Sequence, residues 1–117
     1  MKTFTSLLLI AMCISSNAFS TEYFRNRTII GAGISQVADK SLLYFDIDGA
    51  PQTLECAVTQ RFAVSSDEPN YKEMVSIVMT AYALGQNTVE VYATDYCNSN
   101  AGNAQSVVGV KIGSMAW

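Results

Sequence analysis

Two cysteines are the most reactive side chains in the part of the chain that follows its N-terminal leader. Cys56 and Cys97 lie about forty residues apart, and a third cysteine, Cys13, lies within the leader. Thiols can attack, bind metals or oxidise, but no Cys-x-x-Cys pair and no histidine accompanies them. In an oxidising compartment we expect the two to form a disulfide, worth about 4 kcal/mol through loop closure.

The carboxylates form two further groups that could do chemistry, and neither predicts catalysis. Asp46-x-Asp48-Gly49 begins like a calcium loop, but the later oxygen ligands and the closing glutamate are missing, so it is interpreted as a turn after a strand. Asp48 and Glu55 could act as an acid–base pair, but nothing in the sequence places them around a cleft. We therefore expect no enzymatic activity, no cofactor and no metal.

Residues 1–20 have the features of an export signal. Lys2 supplies the positive start, an apolar run too short to span a bilayer follows, and Ala18 and Ser20 are the small residues of a cleavage site after Ser20. The alternative, lipid attachment at Cys13, is disfavoured by the preceding Met12. Residues 21–117 are thus predicted to form a single secreted or periplasmic domain.

Charge and composition exclude several classes of partner. The 117 residues carry 10 acidic and 7 basic side chains and a net charge of −3. A nucleic-acid surface needs clustered lysine and arginine, so we expect none. No second apolar segment is long enough to insert in a membrane.

Hydrophobic alternation predicts five strands, three before and two after a helical segment. A polar loop is expected from Asp95 to Gln105, held at its start by Cys97. The predicted strands are Thr28–Val37, Ser41–Ile47, Thr53–Ala63, Thr88–Thr94 and Val107–Ile112.

One helix is predicted between the third and fourth strands. Ser66 or Asp67 can cap it, Pro69 suits its first turn, and Gly85 is placed to end it after Leu84 in the left-handed conformation. Its apolar residues cover most of the circumference and leave a narrow polar strip. We expect one side to pack on the sheet and the other on a partner, although a single thick core enclosing the helix is an open alternative.

Three strands, a helix and two strands in about a hundred residues is the order of a five-stranded Greek-key barrel, the OB fold. The sequence predicts a mainly β protein with one α-helix and the element order βββαββ.

Several stretches resemble the B subunits of the subtilase cytotoxin group, relatives of pertussis-type and typhoid-type toxins. The resemblance covers most of the chain after the leader, and none of its motifs is a catalytic signature. The matching stretches are Gly33-Ile34-Ser35-Gln36-Val37, Tyr44-Phe45-Asp46-Ile47-Asp48-Gly49 and the segment from Met74 to Tyr92.

The resemblance implies an OB-fold, lectin-like subunit that forms a ring of five and binds a sialylated or other host glycan. Such rings have their helices around a central pore and carry one enzymatic A subunit. In this chain the polar helix strip Glu73, Ser76 and Thr80 would then face the pore.

The resemblance also suggests where the glycan would bind. Ile30 occupies the place of the family's sugar-contacting serine, and the nearest hydroxyl is that of Thr28. Asp48 matches a family carboxylate near the end of the second strand, and Tyr92 matches an aromatic residue after the helix, expected to point outward. With the amide of Asn26, these residues form the predicted site, since planar polar groups beside an aromatic face hold sugars.

Two hypotheses for the function remain. The first is a secreted carbohydrate-binding subunit of a toxin-type assembly. The second is a stand-alone exported domain of the same fold that binds a protein or has a structural role in the envelope. A neighbouring gene for a toxic A subunit would favour the first.

Overall fold

The computed structural model describes residues 21–49 and 52–117, so the predicted leader with Cys13 lies outside the described residues. Its elements in chain order are β1 (Glu22–Arg27), β2 (Ile29–Val37), β3 (Lys40–Ile47), β4 (Phe62–Ser65), α1 (Tyr71–Leu84), β5 (Val89–Asn98) and β6 (Ala101–Ile112).

The six strands form one sheet in the order β1-β5-β6-β4-β3-β2. The β4–β6 pair is parallel and the other pairs are antiparallel. β1 and β2 lie at opposite edges of the sheet, yet only Thr28 separates them in the chain. The sheet must therefore curl until its edges meet at Thr28, which gives an open barrel of OB type and confirms the predicted fold class.

The strand boundaries differ from the sequence prediction in two places. A strand before Thr28 was not expected, but Glu22–Arg27 pairs with β5. The predicted strand Thr53–Ala63 is wrong over most of its length, since only Phe62–Ser65 is a strand. The preceding residues make two successive turns, with the Ala57 amide bonded to Leu54 O at 3.0 Å and the Gln60 amide to Ala57 O at 3.1 Å.

The predicted polar loop from Asp95 to Gln105 is also wrong. Both arms are strand, because β5 runs on to Asn98 and β6 begins at Ala101. The turn at its tip is held by the Asn98 side chain, whose Oδ1 accepts a 2.8 Å bond from the Asn100 amide. A local side-chain bond thus closes a hairpin in a stretch whose composition resembles a loop.

The helix ends as predicted but begins later. Gly85 ends it at φ +62°, and its amide bonds to Tyr82 O at 3.2 Å. The N-cap is Asn70, without a side-chain cap bond. Ser66 and Asp67 are not caps, because they bond to β3 instead: Ser66 Oγ accepts from the Ser41 amide, and Asp67 pairs with Lys40 at 2.8 Å.

The core fills the barrel and is closed by one stripe of the helix. Met74, Val78 and Ala81 are the helix residues that are fully buried. Tyr82 and Leu84 are 50% and 66% exposed, so a second side of the helix is not covered by the residues that the structure describes. The sheet residues of the core are Phe24, Ile29, Leu43, Phe45, Ile47, Phe62, Val64, Val89, Val91, Ala93, Val107 and Val110.

The predicted disulfide between Cys56 and Cys97 is present. It joins the irregular segment before β4 to the end of β5, two parts of the chain that share no strand pairing. No helix among the described residues is long and apolar enough to cross a membrane.

Candidate functional site

Thr28 and Asp48, two of the predicted glycan-site residues, are in direct contact. Thr28 lies between β1 and β2, and Asp48 follows β3, whose Ile47 pairs with Ile29. The Thr28 amide donates to Asp48 Oδ1 at 3.0 Å, and the Asp48 amide donates to Thr28 O at 3.0 Å. This reciprocal pair fixes a carboxylate beside a hydroxyl residue at the point where the sheet edges meet.

Arg27 joins this pair, although the sequence reasoning did not include it. Its Nη1 donates to the Asp48 carbonyl oxygen at 3.2 Å. Gly49 has φ +82°, a left-handed conformation that side chains rarely adopt, and this turn brings the Asp48 carbonyl oxygen to Arg27. The only sequence signal was a basic residue directly before Thr28. The result is a cation beside the Thr28–Asp48 pair.

Asn26 lies two residues before Thr28 and is exposed. The pairing of β1 with β5 shifts register between Phe24 and Arg27, and Asn26 has φ +53°. Asparagine tolerates this left-handed conformation better than most residues. The bulge therefore places the predicted amide at the start of the same segment that presents Arg27 and Thr28.

Tyr92 points outward as predicted, because Val89, Val91 and Ala93 are buried in the core. Its ring stacks on Tyr23 with centroids 4.7 Å apart and an interplanar angle of 13°. We call Tyr23, Tyr92 and Trp117 the aromatic shelf, since the Trp117 ring lies 5.7 Å from that of Tyr92 and 6.4 Å from that of Tyr23.

A charged cluster borders the aromatic shelf. Glu90 accepts a 2.7 Å bond from Trp117 Nε1 and pairs with Arg25 at 3.2 Å and with Lys111 at 3.4 Å. Partial desolvation, with Tyr92 as the next contribution, raises the pKa of Tyr23, so its hydroxyl is a neutral donor at physiological pH. The shelf thus combines aromatic faces with polar groups at its margin.

The structure divides the predicted four-residue site into two clusters. Tyr92 pairs with Tyr23, and Arg27 pairs with Val89, three residues before Tyr92 on β5. At about 3.3 Å per strand residue, the two clusters are roughly 10 Å apart along the strand. One sugar ring would not span this distance, whereas an oligosaccharide could. Tyr23 and Trp117 were missed because a short N-terminal strand and a chain-end residue carry little periodic signal.

The predicted pore residues Glu73, Ser76 and Thr80 are all exposed and share one face of α1. A groove of about 340 Å³ connects the start of this face with the aromatic shelf. Glu73, Ile77, Tyr92 and Trp117 are among the residues that line it. One residue predicted to face a pore and one predicted to bind glycan therefore border the same groove.

In the described part of the chain, no group of three or more histidine, cysteine, aspartate or glutamate side chains is arranged to hold a metal ion.

No protein-family profile matches this chain. No curated protein sequence matches it either.

Solved structures do match the fold. One is a homopentamer of PltB from Salmonella typhi, a point mutant with Neu5Ac-alpha-2-3-Gal-beta-1-4-GlcNAc glycans, at a TM-score of 0.61 and 16% identity over 80% of this chain and 86% of that chain. A second PltB homopentamer mutant matches with a TM-score of 0.61 and 15% identity over the same shares of the two chains. This chain has the OB-type fold of the PltB subunit.

Proposed function

We propose that this chain is an exported, glycan-binding B subunit that assembles into a ring and carries an enzymatic A subunit. The observation that carries the proposal is the likeness of its fold to PltB homopentamers, one of them solved with a sialylated glycan. The disulfide supports secretion or export to the periplasm, because such bonds persist in oxidising compartments.

The chemistry around Thr28 suits the acidic end of a sialylated glycan. Sialic acid carries a carboxylate, and the guanidinium of Arg27 supplies a cation for it. Asn26, Thr28 and Asp48 offer an amide, a hydroxyl and a carboxylate for the sugar's hydroxyl groups. Tyr92, with the aromatic shelf, would stack on a later ring of the same oligosaccharide, given the spacing of roughly 10 Å.

The surface of the single chain supports assembly. Large apolar side chains are exposed on β2 and at the end of α1, including Ile30 at 57%, Ile34 at 54% and Leu84 at 66%. β2 is an edge strand, paired only with β3 in the sheet. In the proposed ring these surfaces meet neighbouring copies, and Glu73, Ser76 and Thr80 face the pore.

A glycan array with residues 21–117 tests the binding. We expect the wild type to bind sialylated glycans on the array. This binding should disappear when the arrayed glycans are treated with sialidase. Thr28→Ala and Tyr92→Ala should each weaken binding by about tenfold, since each removes one contact in a shallow site. The five sites of the proposed ring would raise the avidity for a glycan-coated surface. Thr53→Ala, at an exposed threonine outside both clusters, is the matched control. Absence of glycan binding by the wild type, or wild-type binding by both variants, would refute the assignment.

Light scattering tests the ring. The wild type should have five times the mass of one chain, and Leu84→Glu should weaken assembly by placing a charge in an apolar contact. The neighbouring exposed position provides the control Ala83→Glu. A wild-type monomer at tens of micromolar would reject the ring and favour the stand-alone exported domain.

A further inference from the structure

A cleft formed by the described residues lies away from both clusters of the proposed glycan site. It has a volume of about 550 Å³ and lies between the β4–α1 connection and the β5–β6 hairpin. Its walls include Ser65, Glu68, Asn70, Tyr96 and Asn98. Neither the Arg27–Thr28–Asp48 cluster nor the aromatic shelf contributes a residue to it.

One wall of the cleft is a closed hydrogen-bond network. Ser65 Oγ donates to Asn98 Oδ1 at 3.0 Å, and Asn100 Nδ2 donates to Ser65 Oγ at 3.0 Å. Asn98 Nδ2 in turn reaches Glu68 Oε1 at 3.5 Å. Asn98 is only 4% exposed, and the disulfide holds the adjacent Cys97. The polar groups are thus positioned before any ligand arrives, which lowers the entropy cost of binding.

The chemistry of the lining favours a ligand rich in hydroxyl groups. Carboxylates, amides and hydroxyls bond to pairs of sugar hydroxyls, and these are the polar side chains of the cleft. Tyr96, 48% exposed, and Val108, 42% exposed, supply an apolar face for the C–H side of a sugar ring. The volume lies within the range of small-molecule sites, so the cleft has room for more than one ring.

Charge decides between sugar classes. Among the described residues that line the cleft there is no lysine or arginine, whereas Asp67 and Glu68 both line it. Lys40 pairs with Asp67 at 2.8 Å, which leaves Glu68 as the uncompensated charge of the wall. An anionic sugar would be repelled by this carboxylate, and a neutral sugar would not.

We propose that this cleft is a second carbohydrate site that takes a neutral saccharide. It is separate from the proposed sialoglycan site in position, and it differs from that site in charge, since Arg27 accompanies the Asp48 carboxylate there and no cation accompanies Glu68 among the residues that line the cleft. One chain would then contact two different sugars, either on one branched glycan or on two glycans. The proposal does not depend on the ring or on the sialoglycan site.

Amide NMR spectra of residues 21–117, titrated with lactose, maltose and diacetylchitobiose, test the proposal. At least one of these neutral disaccharides should shift the amide signals of Glu68, Asn98 and Ser99. Ser99→Trp fills the mouth of the cleft from an exposed turn and should weaken that binding at least about tenfold. Glu68→Gln keeps the shape of the wall and should weaken disaccharide binding less than Ser99→Trp does. Thr53→Trp, an exposed position outside the cleft, should bind as the wild type does.

The outcomes separate this proposal from the proposed function. If none of the three disaccharides shifts cleft amides, or if Ser99→Trp binds as tightly as the wild type, the cleft is not a sugar site. Sialyllactose, titrated in parallel, should instead shift the signals of Thr28 and Asp48. Binding of the neutral sugar without sialyllactose binding would leave the cleft standing and reject the sialoglycan site, and the reverse result would reject only the cleft.

Discussion

At the scale of single residues, Glu68 is a carboxylate whose surroundings differ from bulk water. Its side chain enters the network with Asn98 beneath the β5–β6 turn. Burial, as the largest cause, raises the pKa of Glu68, the charge of Asp67 adds to this, and a backbone hydrogen bond at Ser65 opposes it. The folded protein therefore holds this proton more tightly than the unfolded chain does.

A pH-dependent stability follows from Glu68. An acid whose pKa is raised on folding contributes stability below its unfolded pKa of about 4.3, and this contribution is lost as pH rises through the folded pKa. Glu68→Gln cannot ionise, so its stability relative to the wild type should increase from about pH 4 to about pH 7. Urea unfolding at the two pH values measures this. If the difference in unfolding free energy between Glu68→Gln and the wild type is the same at both pH values, the raised pKa of Glu68 is contradicted.

Trp117 is the only tryptophan of the chain, and its ring lies over Gly109. A Cβ at Gly109 would lie 3.0 Å from Trp117 Cη2, tighter than most such contacts, so the Trp117 ring would have to move by a few tenths of an ångström. The absence of a side chain at this position in β6 lets the ring rest directly on the strand.

Gly109→Ala should displace the Trp117 ring and break its bond to Glu90. We expect a red-shifted tryptophan emission and a loss of about 1 kcal/mol in unfolding free energy, because the added methyl group overpacks the contact. Gly102→Ala is the control, since nothing lies within 4 Å of a Cβ there. Unchanged emission in Gly109→Ala would show that the ring does not rest on this strand.

At the scale of elements, the β2–β3 hairpin carries backbone strain. Its two-residue turn joins the paired residues Val37 and Lys40, and Ala38 has φ +56°. Side chains disfavour this left-handed region, and tight hairpin turns prefer glycine there. The sequence predicted a turn at this place but did not reveal the strain, since alanine is not a turn residue.

Ala38→Gly should raise the unfolding free energy by about 0.5–1 kcal/mol, because glycine adopts positive φ without a Cβ penalty. Ala83→Gly, at an exposed position in α1, should instead lower the unfolding free energy by about 1 kcal/mol. Chemical denaturation of both variants gives the comparison. If Ala38→Gly destabilises as Ala83→Gly does, the turn is not strained.

At the scale of the whole molecule, the irregular segment before β4 is held by one covalent bond and by several non-covalent contacts. The disulfide from Cys56 reaches Cys97 at the end of β5 across 41 residues of sequence. Thr59 and Arg61 bond to Asn103 of β6, the first through its hydroxyl at 2.7 Å and the second at 3.4 Å. The disulfide is the contact that also restricts the unfolded chain.

Cys56→Ser should lower the unfolding free energy by about 2–5 kcal/mol, since the unfolded chain gains the entropy of a large loop. The double variant Cys56→Ser/Cys97→Ser should lose a similar amount without a free thiol. Non-reducing mass spectrometry of the exported wild type checks the bond itself. Two free thiols in fresh material, or an unchanged stability in the double variant, would contradict a structural disulfide.

The sequence by itself determined the fold class, the single helix and part of the strands. Strict alternation identified β2, β3 and the first part of β5, and the helix was recognisable by its apolar period and by Gly85, because these signals are local. The Cys56–Cys97 pair followed from the cysteine count after export. The outward direction of Tyr92 followed from the period of a strand alone.

Only the tertiary structure decided which of the candidate residues lie together. Thr28 and Asp48 meet because β2 pairs with β3, and Arg27 joins them by its bond to the Asp48 carbonyl oxygen at the turn where Gly49 has φ +82°. Tyr92 lies with Tyr23 and Trp117 instead, because β1 pairs with β5 and the chain end folds back over β6. Such contacts depend on long-range pairing, which alternation within one strand does not encode.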